Sequence, residues 1–396
     1  MTLVIISTTL LLLAVALIAG IVPFDQRHID DVFGSLLDTG EEQLLSLAFD
    51  KGKNQSDFDD FLKTWDAGKA SLKTVLLVCQ VLGKRTDISA PDSLLPRLKG
   101  GEAVAEMHNA LIQEHFGRIA RALNQEGIEF ILIKGAAMKL LRPDSSRWMT
   151  DIDVMVEPVN YEAAIKVASG LGYGDPMPCG YSTDLHIPGS NIAVADIHQE
   201  LDLGTGMEER LSKLLFDRAE EIPAFSAKGM IPCREDMVFI LLVNTYKNLR
   251  KKQSGQSILN TFFDLDFLIS GAASLDWERV RADAIETGTN CQVYLVSCFI
   301  ERYIADLFPK GWNDSLGTNR KDLEKLYVDF RFGRSVLSEG RDKMAETKIG
   351  KKLRTEQSLS VSVWLELVKA AKLLAGNRLI KRIILRFNSL IHTINN

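Results

Sequence analysis

The sequence predicts an α+β protein, in which a small mixed sheet carries helical additions at both its N-terminal and C-terminal sides. Apolar residues spaced three and four apart, as in amphipathic helices, dominate the first hundred residues and return after Gly206. Between these regions lie short, β-branched apolar runs that suit buried strands. The runs span residues 128–133, 151–156 and 192–198.

Composition excludes several broad classes of protein. Hydrophobic residues make up 46% of the 396 residues and charged residues 25%, which excludes a disordered, collagen-like or low-complexity chain. The five cysteines are odd in number and form no C-x-x-C pair, so neither a disulfide framework nor a cysteine zinc site is expected. A net charge of −5 gives no basic field that would indicate a nucleic-acid partner.

The N-terminal segment allows two interpretations. Residues 1–22 contain no charged side chain and are long enough for a helix across a bilayer core. They also suit a buried first helix of a helical domain. We therefore expect a cytoplasmic protein, consistent with its cysteine usage, with an inner-membrane-associated protein whose catalytic core is cytoplasmic as the alternative.

The pattern divides the chain into four regions. A helical N-terminal region (1–100) precedes a core (101–205), a helical C-terminal domain (206–330), and a charged linker followed by a basic amphipathic helix (331–396). In the core, helices are predicted at 102–125, ended by a glycine, and at 136–141 and 161–171. In the C-terminal domain they are predicted at 235–249, 262–268, 277–285 and 293–307.

The last predicted helix carries a basic stripe. Arg378, Arg382 and Arg386 are spaced four residues apart and share one helix face. Such a face contacts anionic lipid, contacts an anionic substrate, or is simply solvated. Membrane association through residues 1–22 or through this helix therefore stays open.

Acidic residues at two predicted strands indicate a metal site. Side chains alternate along a strand, so Asp151 and Asp153 share one face, and Asp196 and His198 share one face of theirs. If the two strands are neighbours, Asp196 adds a third carboxylate. Carboxylate oxygens suit Mg²⁺ or Mn²⁺, and three carboxylates can hold two such ions about 3.5–4 Å apart for in-line attack on phosphorus.

The turn after the first strand supplies groups for binding phosphate. Gly135 permits close approach of the backbone to an anion, and a helix beginning at Ala136 points its N–H groups at it. Lys134 and Arg147 add positive charge, the arginine as a two-pronged donor. Each element alone is weak, and the ordered set is more specific.

The segment ILIKGAAMKLLRPDSSRWMTDIDVMVEP (131–158) resembles the K-G…R-x-x-x-D-I-D signature of the bacterial uncharacterised nucleotidyltransferase family. That family belongs to the DNA polymerase beta-type nucleotidyltransferase superfamily. His186-Ile-Pro and Asp196-Ile-His198 resemble its H-x-P…D-x-H pair. The resemblance covers roughly residues 36–310.

The resemblance implies a minimal nucleotidyltransferase core with helical additions. It implies Asp151, Asp153 and Asp196 as catalytic carboxylates and metal ligands, with Gly135 and Arg147 at the nucleotide phosphates. Lys134-Gly135 stands where the superfamily usually has Gly-Ser, so Lys134 is expected to replace a serine contact. Gln199 and Asn244 stand where the family often has tryptophan and histidine, which leaves the substrate-side contacts open.

The function expected is metal-dependent transfer of a nucleoside monophosphate from an NTP to a hydroxyl or phosphate acceptor, with release of pyrophosphate. His198 is a candidate nucleotide-binding residue or general base. Two alternatives stay open: a non-catalytic nucleotide-binding or interaction module with the same fold, and an Asp-x-Asp metal-dependent glycosyltransferase. The motifs do not define the acceptor or the nucleobase.

Overall fold

A computed structural model describes residues 37–173, 177–178, 181–203, 205–250, 256–271, 274–319 and 322–323. Residues 35–318 form one compact unit. The apolar segment 1–22 and the predicted linker and basic helix of 331–396 lie outside the described residues. Within the described part of the chain, no helix combines the length and apolar character needed to cross a membrane. The boundaries proposed between the four regions stay predictions.

Seven strands form one mixed sheet in the order β3-β4-β5-β2-β1-β7-β6. The pairs β2–β5 and β1–β7 are parallel, and the remaining neighbours are antiparallel. The sheet is mixed and flanked by helices, which confirms the predicted α+β class. The strands are β1 (Phe130–Leu132), β2 (Ile152–Val156), β3 (Met177–Pro178), β4 (Ser182–His186), β5 (Ala193–His198), β6 (Glu220–Ala224) and β7 (Ala227–Ile231).

Helices precede, interrupt and follow the sheet. Helix α8, which follows the sheet, packs against α9, α10 and α11. The long helix α4 packs against α3, α6 and several strands. The helices are α1 (Thr39–Phe49), α2 (Gln55–Thr64), α3 (Leu72–Lys84), α4 (Leu95–Gln125), α5 (Lys134–Leu141), α6 (Tyr161–Gly170), α7 (Glu208–Arg218), α8 (Arg234–Arg250), α9 (Gln256–Ser270), α10 (Trp277–Glu286), α11 (Asn290–Glu301) and α12 (Trp312–Ser315).

The predicted helix 102–125 is α4, which begins seven residues earlier, at Leu95. Pro96 lies in its first turn, where its missing N–H costs no intrahelical hydrogen bond. The predicted glycine stop is confirmed. Gly127 has φ +70°, and the next residue, Ile128, donates its N–H to the carbonyl of Leu123 at 2.9 Å. This turn leads directly into β1.

The region after Gly206, predicted as a helical domain, also contains two strands that the sequence did not predict. Strands β6 and β7 form a hairpin in which Ala224 pairs with Ala227, leaving Phe225 and Ser226 as the turn. Both turn residues have positive φ, 52° and 69°, as a type I′ turn requires. Glycine, asparagine or aspartate usually occupies such positions, so the sequence carried no hairpin signal here.

The turn of this hairpin rests on α4. The ring of Phe225 packs edge-to-face on that of Phe116, with centroids 5.8 Å apart. At the next residue, a Cβ placed on Gly117 would lie 2.5 Å from the carbonyl oxygen of Phe225. The backbones of helix and turn therefore approach each other more closely than any side chain at position 117 would allow.

We expect Gly117→Ala to lower the free energy of unfolding by roughly 1–3 kcal/mol, because the added methyl meets a backbone carbonyl that cannot rotate away. Gly100→Ala is the matched control, since it changes the same helix at an exposed position with nothing within 4 Å. It should raise stability by about 0.5–1 kcal/mol through helix propensity. Urea unfolding measures both, and equal effects of the two substitutions would contradict the packing argument.

Candidate active site

Two carboxylates lie side by side on neighbouring strands. Asp153 of β2 pairs in register with Asp196 of β5, so both side chains project from the same face of the sheet. The expectation that the second and third predicted strands are neighbours is therefore confirmed. His198 follows Asp196 by two positions and shares this face.

His198 lies beneath both carboxylates, with 2% of its side chain exposed. Its Nε2 is 3.1 Å from Asp153 Oδ1 and 3.0 Å from Asp196 Oδ2. Since both neighbours accept hydrogen bonds, we assign the ring proton to Nε2. His198 Nδ1 and Asp196 Oδ1 are buried and have no hydrogen-bond partner among the described residues. Such buried contact to both acids suits a group that orients them.

The side chain of Lys134 enters the same cluster. Its Nζ lies 2.5 Å from Asp153 Oδ1 and 3.5 Å from His198 Nε2. The N–H of Ile133 donates to the backbone carbonyl of Asp153 at 3.1 Å, which fixes the start of α5 beside β2. Lys134 itself has φ +52°, a left-handed conformation that is strained for a residue with a Cβ.

Neighbouring charges determine the protonation states of Lys134 and Asp153. Burial alone would lower the pKa of Lys134, but the charge and hydrogen bond of Asp153, together with the charges of Asp196 and Asp151, raise that pKa above its usual value. Burial alone would raise the pKa of Asp153, but Lys134 and His198 hold it well below its ordinary range. At neutral pH the two groups therefore form an ion pair.

Asp151 lies one residue before β2 and apart from this tight cluster. Its Oδ1 accepts a hydrogen bond from the hydroxyl of Thr150 at 3.0 Å. Burial, and then the charge of Asp153, raise the pKa of Asp151 to about 7. Asp151 is thus partly protonated at neutral pH. It lines the same cleft as Asp153 and Asp196.

The cluster forms part of the wall of a predominantly polar cleft of about 410 Å³. Lysine and amide side chains from α3, α8 and α9 form much of the remaining wall. The cleft residues besides those of the cluster include Lys73, Gln80, Gly135, Arg147, Trp148, Tyr181, Asn244, Lys247, Asn248, Asn260 and Asp264.

The residues present fit a divalent cation. Asp153, Asp196 and His198 each offer one ligand atom, and these atoms lie within 4.8 Å of one another. The unpartnered, buried Asp196 Oδ1 is a further oxygen that a cation would satisfy. The predicted set of Asp151, Asp153 and Asp196 is brought to one cleft, but His198, not Asp151, completes the tight group.

Arg147 and Gly135 are in contact, and both lie at the cleft. Nη1 of Arg147 forms an ion pair with Asp264 of α9, whose side chain is 4% exposed. A Cβ placed on Gly135 would lie 3.3 Å from Nη2 of Arg147. The glycine therefore leaves room for the guanidinium, and the guanidinium ties the loop before β2 to the C-terminal helices.

Two residues beside the site were not predicted from the sequence, and one of them holds the loop before β2. Asn109 of α4 donates from Nδ2 to the carbonyl of Arg147 at 2.7 Å and accepts from the N–H of Met149 at 3.0 Å. Its only signal was an amide on the otherwise apolar buried face of α4. Asp184 of β4 pairs in register with Asp196, and burial, followed by the charge of Asp196, raises its pKa.

Comparison with known protein families shows which family the chain belongs to. The description of the matching family is "Uncharacterised nucleotidyltransferase", and the match spans residues 55–305, more than half of the chain. The chain belongs to this family. The match includes every residue of the cluster and of the cleft described above. The predicted resemblance to this family is confirmed, whereas the bacterial origin and the DNA polymerase beta-type superfamily stay predictions.

Individual proteins add little to this assignment. A solved structure of an antigenic nucleotidyltransferase-like protein from Paracoccidioides brasiliensis is 14% identical, with a TM-score of 0.29. That similarity covers 49% of this chain and 93% of the other. None of the curated proteins compared matches the chain.

We expect Arg147→Met to lower the free energy of unfolding by roughly 3–5 kcal/mol, because it leaves the buried Asp264 carboxylate unpaired. The double variant Arg147→Met/Asp264→Leu should recover much of that loss, since no buried charge remains. Arg118→Met, which breaks an exposed pair with Glu114, is the control and should cost less than about 1 kcal/mol.

Urea unfolding of the parent and these three variants measures the changes in stability. A cost for Arg147→Met no larger than that for Arg118→Met would show that Arg147 does not hold the loop to α9.

Proposed function

We propose that this protein is a divalent-cation-dependent nucleotidyltransferase that moves a nucleoside monophosphate from an NTP to an acceptor. The observation that carries the proposal is the register pairing of Asp153 with Asp196 in a cleft at the start of α5, in a chain of this family. Paired carboxylates on adjacent strands are a donor set for Mg²⁺ or Mn²⁺.

In the proposed reaction an acceptor oxygen forms a bond to the α-phosphorus of the NTP. The bond between the α-phosphorus and the bridging oxygen breaks, pyrophosphate leaves, and the acceptor proton passes to solvent or to a base. A divalent ion, when bound, would supply the positive charge that stabilises the charge developing on the phosphate oxygens. Asp153 and Asp196 would hold it, with Asp151 at the edge of the same site.

Positive groups of the chain would bind the triphosphate. The first N–H groups of α5 have no side-chain cap, and backbone N–H groups at a helix start favour anions. Lys73 and Lys134 line the cleft, and so does Lys247, whose Nζ lies 3.1 Å from Asp202. His198 would keep both carboxylates oriented by donating from Nε2. This supports an orienting role for His198 better than a general-base role at the acceptor.

We expect Asp153→Asn to lower the rate of NMP transfer by roughly 10²-fold or more, because it removes a charged ligand from the ion site. The assay follows α-³²P-labelled NTPs with Mg²⁺ and cell extract as the source of acceptor. Asp92→Asn, an exposed aspartate away from the cleft, is the control and should keep full activity. Circular dichroism of both variants should match the parent, and undiminished transfer by Asp153→Asn would refute the metal assignment.

Thermal shift separates the enzyme from a binding module or a glycosyltransferase. We expect each NTP tested alone to raise Tm little, and the productive NTP with Mg²⁺ to raise it further, because ligand that binds only the folded state stabilises it. A shift with nucleotide sugars alone would favour glycosyl transfer. A shift with NTP that is equal with and without Mg²⁺ would favour the non-catalytic module.

A further inference from the structure

The carboxylate of Asp153 is offered both to a metal ion and to Lys134. Asp153 Oδ1 lies 2.5 Å from Lys134 Nζ, and His198 Nε2 lies 3.5 Å from it. Asp153 and His198 also belong to the group whose ligand atoms could hold an ion. In the structure, the positive charge that balances the partly buried Asp153 is therefore the lysine ammonium.

A metal ion bound to Asp153 would repel this ammonium at close range. An ion bound to Asp153 Oδ1 lies about 2.1 Å from that oxygen. The ammonium would then be at most about 4.6 Å from the ion, because it lies 2.5 Å from the same oxygen. The side chain of Lys134 is only 18% exposed, so water screens the repulsion between these cations poorly.

Lys134 has a second anion within reach when an NTP is bound. It is the first residue of α5, the helix start at which the proposed function places the triphosphate. Its flexible four-carbon stem allows the ammonium to move from a carboxylate to a phosphate oxygen without moving the backbone. The left-handed backbone at this position, with φ +52°, sets the direction in which the lysine side chain leaves the backbone.

We propose that Lys134 is an internal counter-cation that must leave Asp153 before a divalent ion binds. The nucleotide-free protein then binds metal weakly, and the triphosphate promotes metal binding by accepting the ammonium. Lys134 is thus a positioning residue that couples the two ligands. The coupling to NTP rests on the proposed function, whereas the weak binding of metal to the free protein does not.

The direct test is Mn²⁺ binding to the full chain without nucleotide, followed by the EPR signal of free Mn²⁺. We expect Lys134→Met to bind Mn²⁺ at least roughly tenfold more tightly than the parent, because the competing cation is gone. Lys134→Arg keeps the charge and should bind weakly, like the parent. Equal affinity of the parent and Lys134→Met would overturn the proposal.

Two further variants test whether the gain in Mn²⁺ affinity comes from removing the Lys134 ammonium. Lys134→Gly removes the ammonium and also relieves the left-handed backbone strain, so it should fold and bind Mn²⁺ as tightly as Lys134→Met. Lys73→Met removes a lysine of the same cleft for which the described residues show no ion pair. It should change Mn²⁺ affinity less than threefold. A gain equal to that of Lys134→Met would show a general effect of cleft charge and overturn the proposal.

Coupling is measured with the α,β-methylene analogues of the four NTPs, which bind without transfer. In the parent, the analogue that binds should tighten Mn²⁺ binding by roughly tenfold or more, and in Lys134→Met the factor should shrink toward one. An equal factor in both proteins would overturn the coupling. If no analogue binds, the proposed function fails, while the nucleotide-free comparison still decides the counter-cation role.

Discussion

Two partly buried aspartate side chains held next to each other are the constraint on which the site depends. The register of β2 with β5 places Asp153 opposite Asp196, and neither residue's backbone can move away without unpairing a strand. Like charges this close are stable only beside compensating donors and cations. Lys134 and His198 fill that role, one as an ion-pair partner and the other as a shared hydrogen-bond donor.

The need to balance the charge of Asp153 accounts for the unusual backbone conformation at Lys134. The chain turns from β1 into α5 with Lys134 in a left-handed conformation, which costs about 1–2 kcal/mol for a residue with a Cβ. The hydrogen bond from Ile133 to the Asp153 carbonyl and the ion pair of Lys134 both hold the turn in place. A strained residue that is fixed by surrounding contacts is typical of functional sites.

The sequence predicted the parts of the fold whose pattern is local. The β-branched runs that became β1, β2 and β5 read correctly because buried strands need apolar residues at successive positions. The hairpin of β6 and β7 could not be predicted. Its turn is made by Phe225 and Ser226, and the stabilising contact with Phe116 lies over a hundred residues away in the chain.

The candidate site also contains some residues that the sequence predicted and others that it did not. The alternation of side chains along a strand was enough to group Asp196 with His198, and the spacing of acids was enough to select Asp153. The partner of Arg147 was beyond reach, since Asp264 lies on a helix that the fold alone brings to the loop. The clamp by Asn109 depends likewise on how α4 packs, which no local pattern encodes.

That clamp has a consequence for how the molecule can be divided. The loop before β2 is fastened to α4 by Asn109 and to α9 by Asp264. Gln80 of α3 adds hydrogen bonds to the Ser146 carbonyl and to Asn260. An excised sheet with its own helices would retain the aspartates and lose their scaffold. Helices that precede the sheet strands and helices that follow them in the chain therefore both form walls of the pocket. We expect the smallest unit that preserves this pocket to extend from α3 to α9.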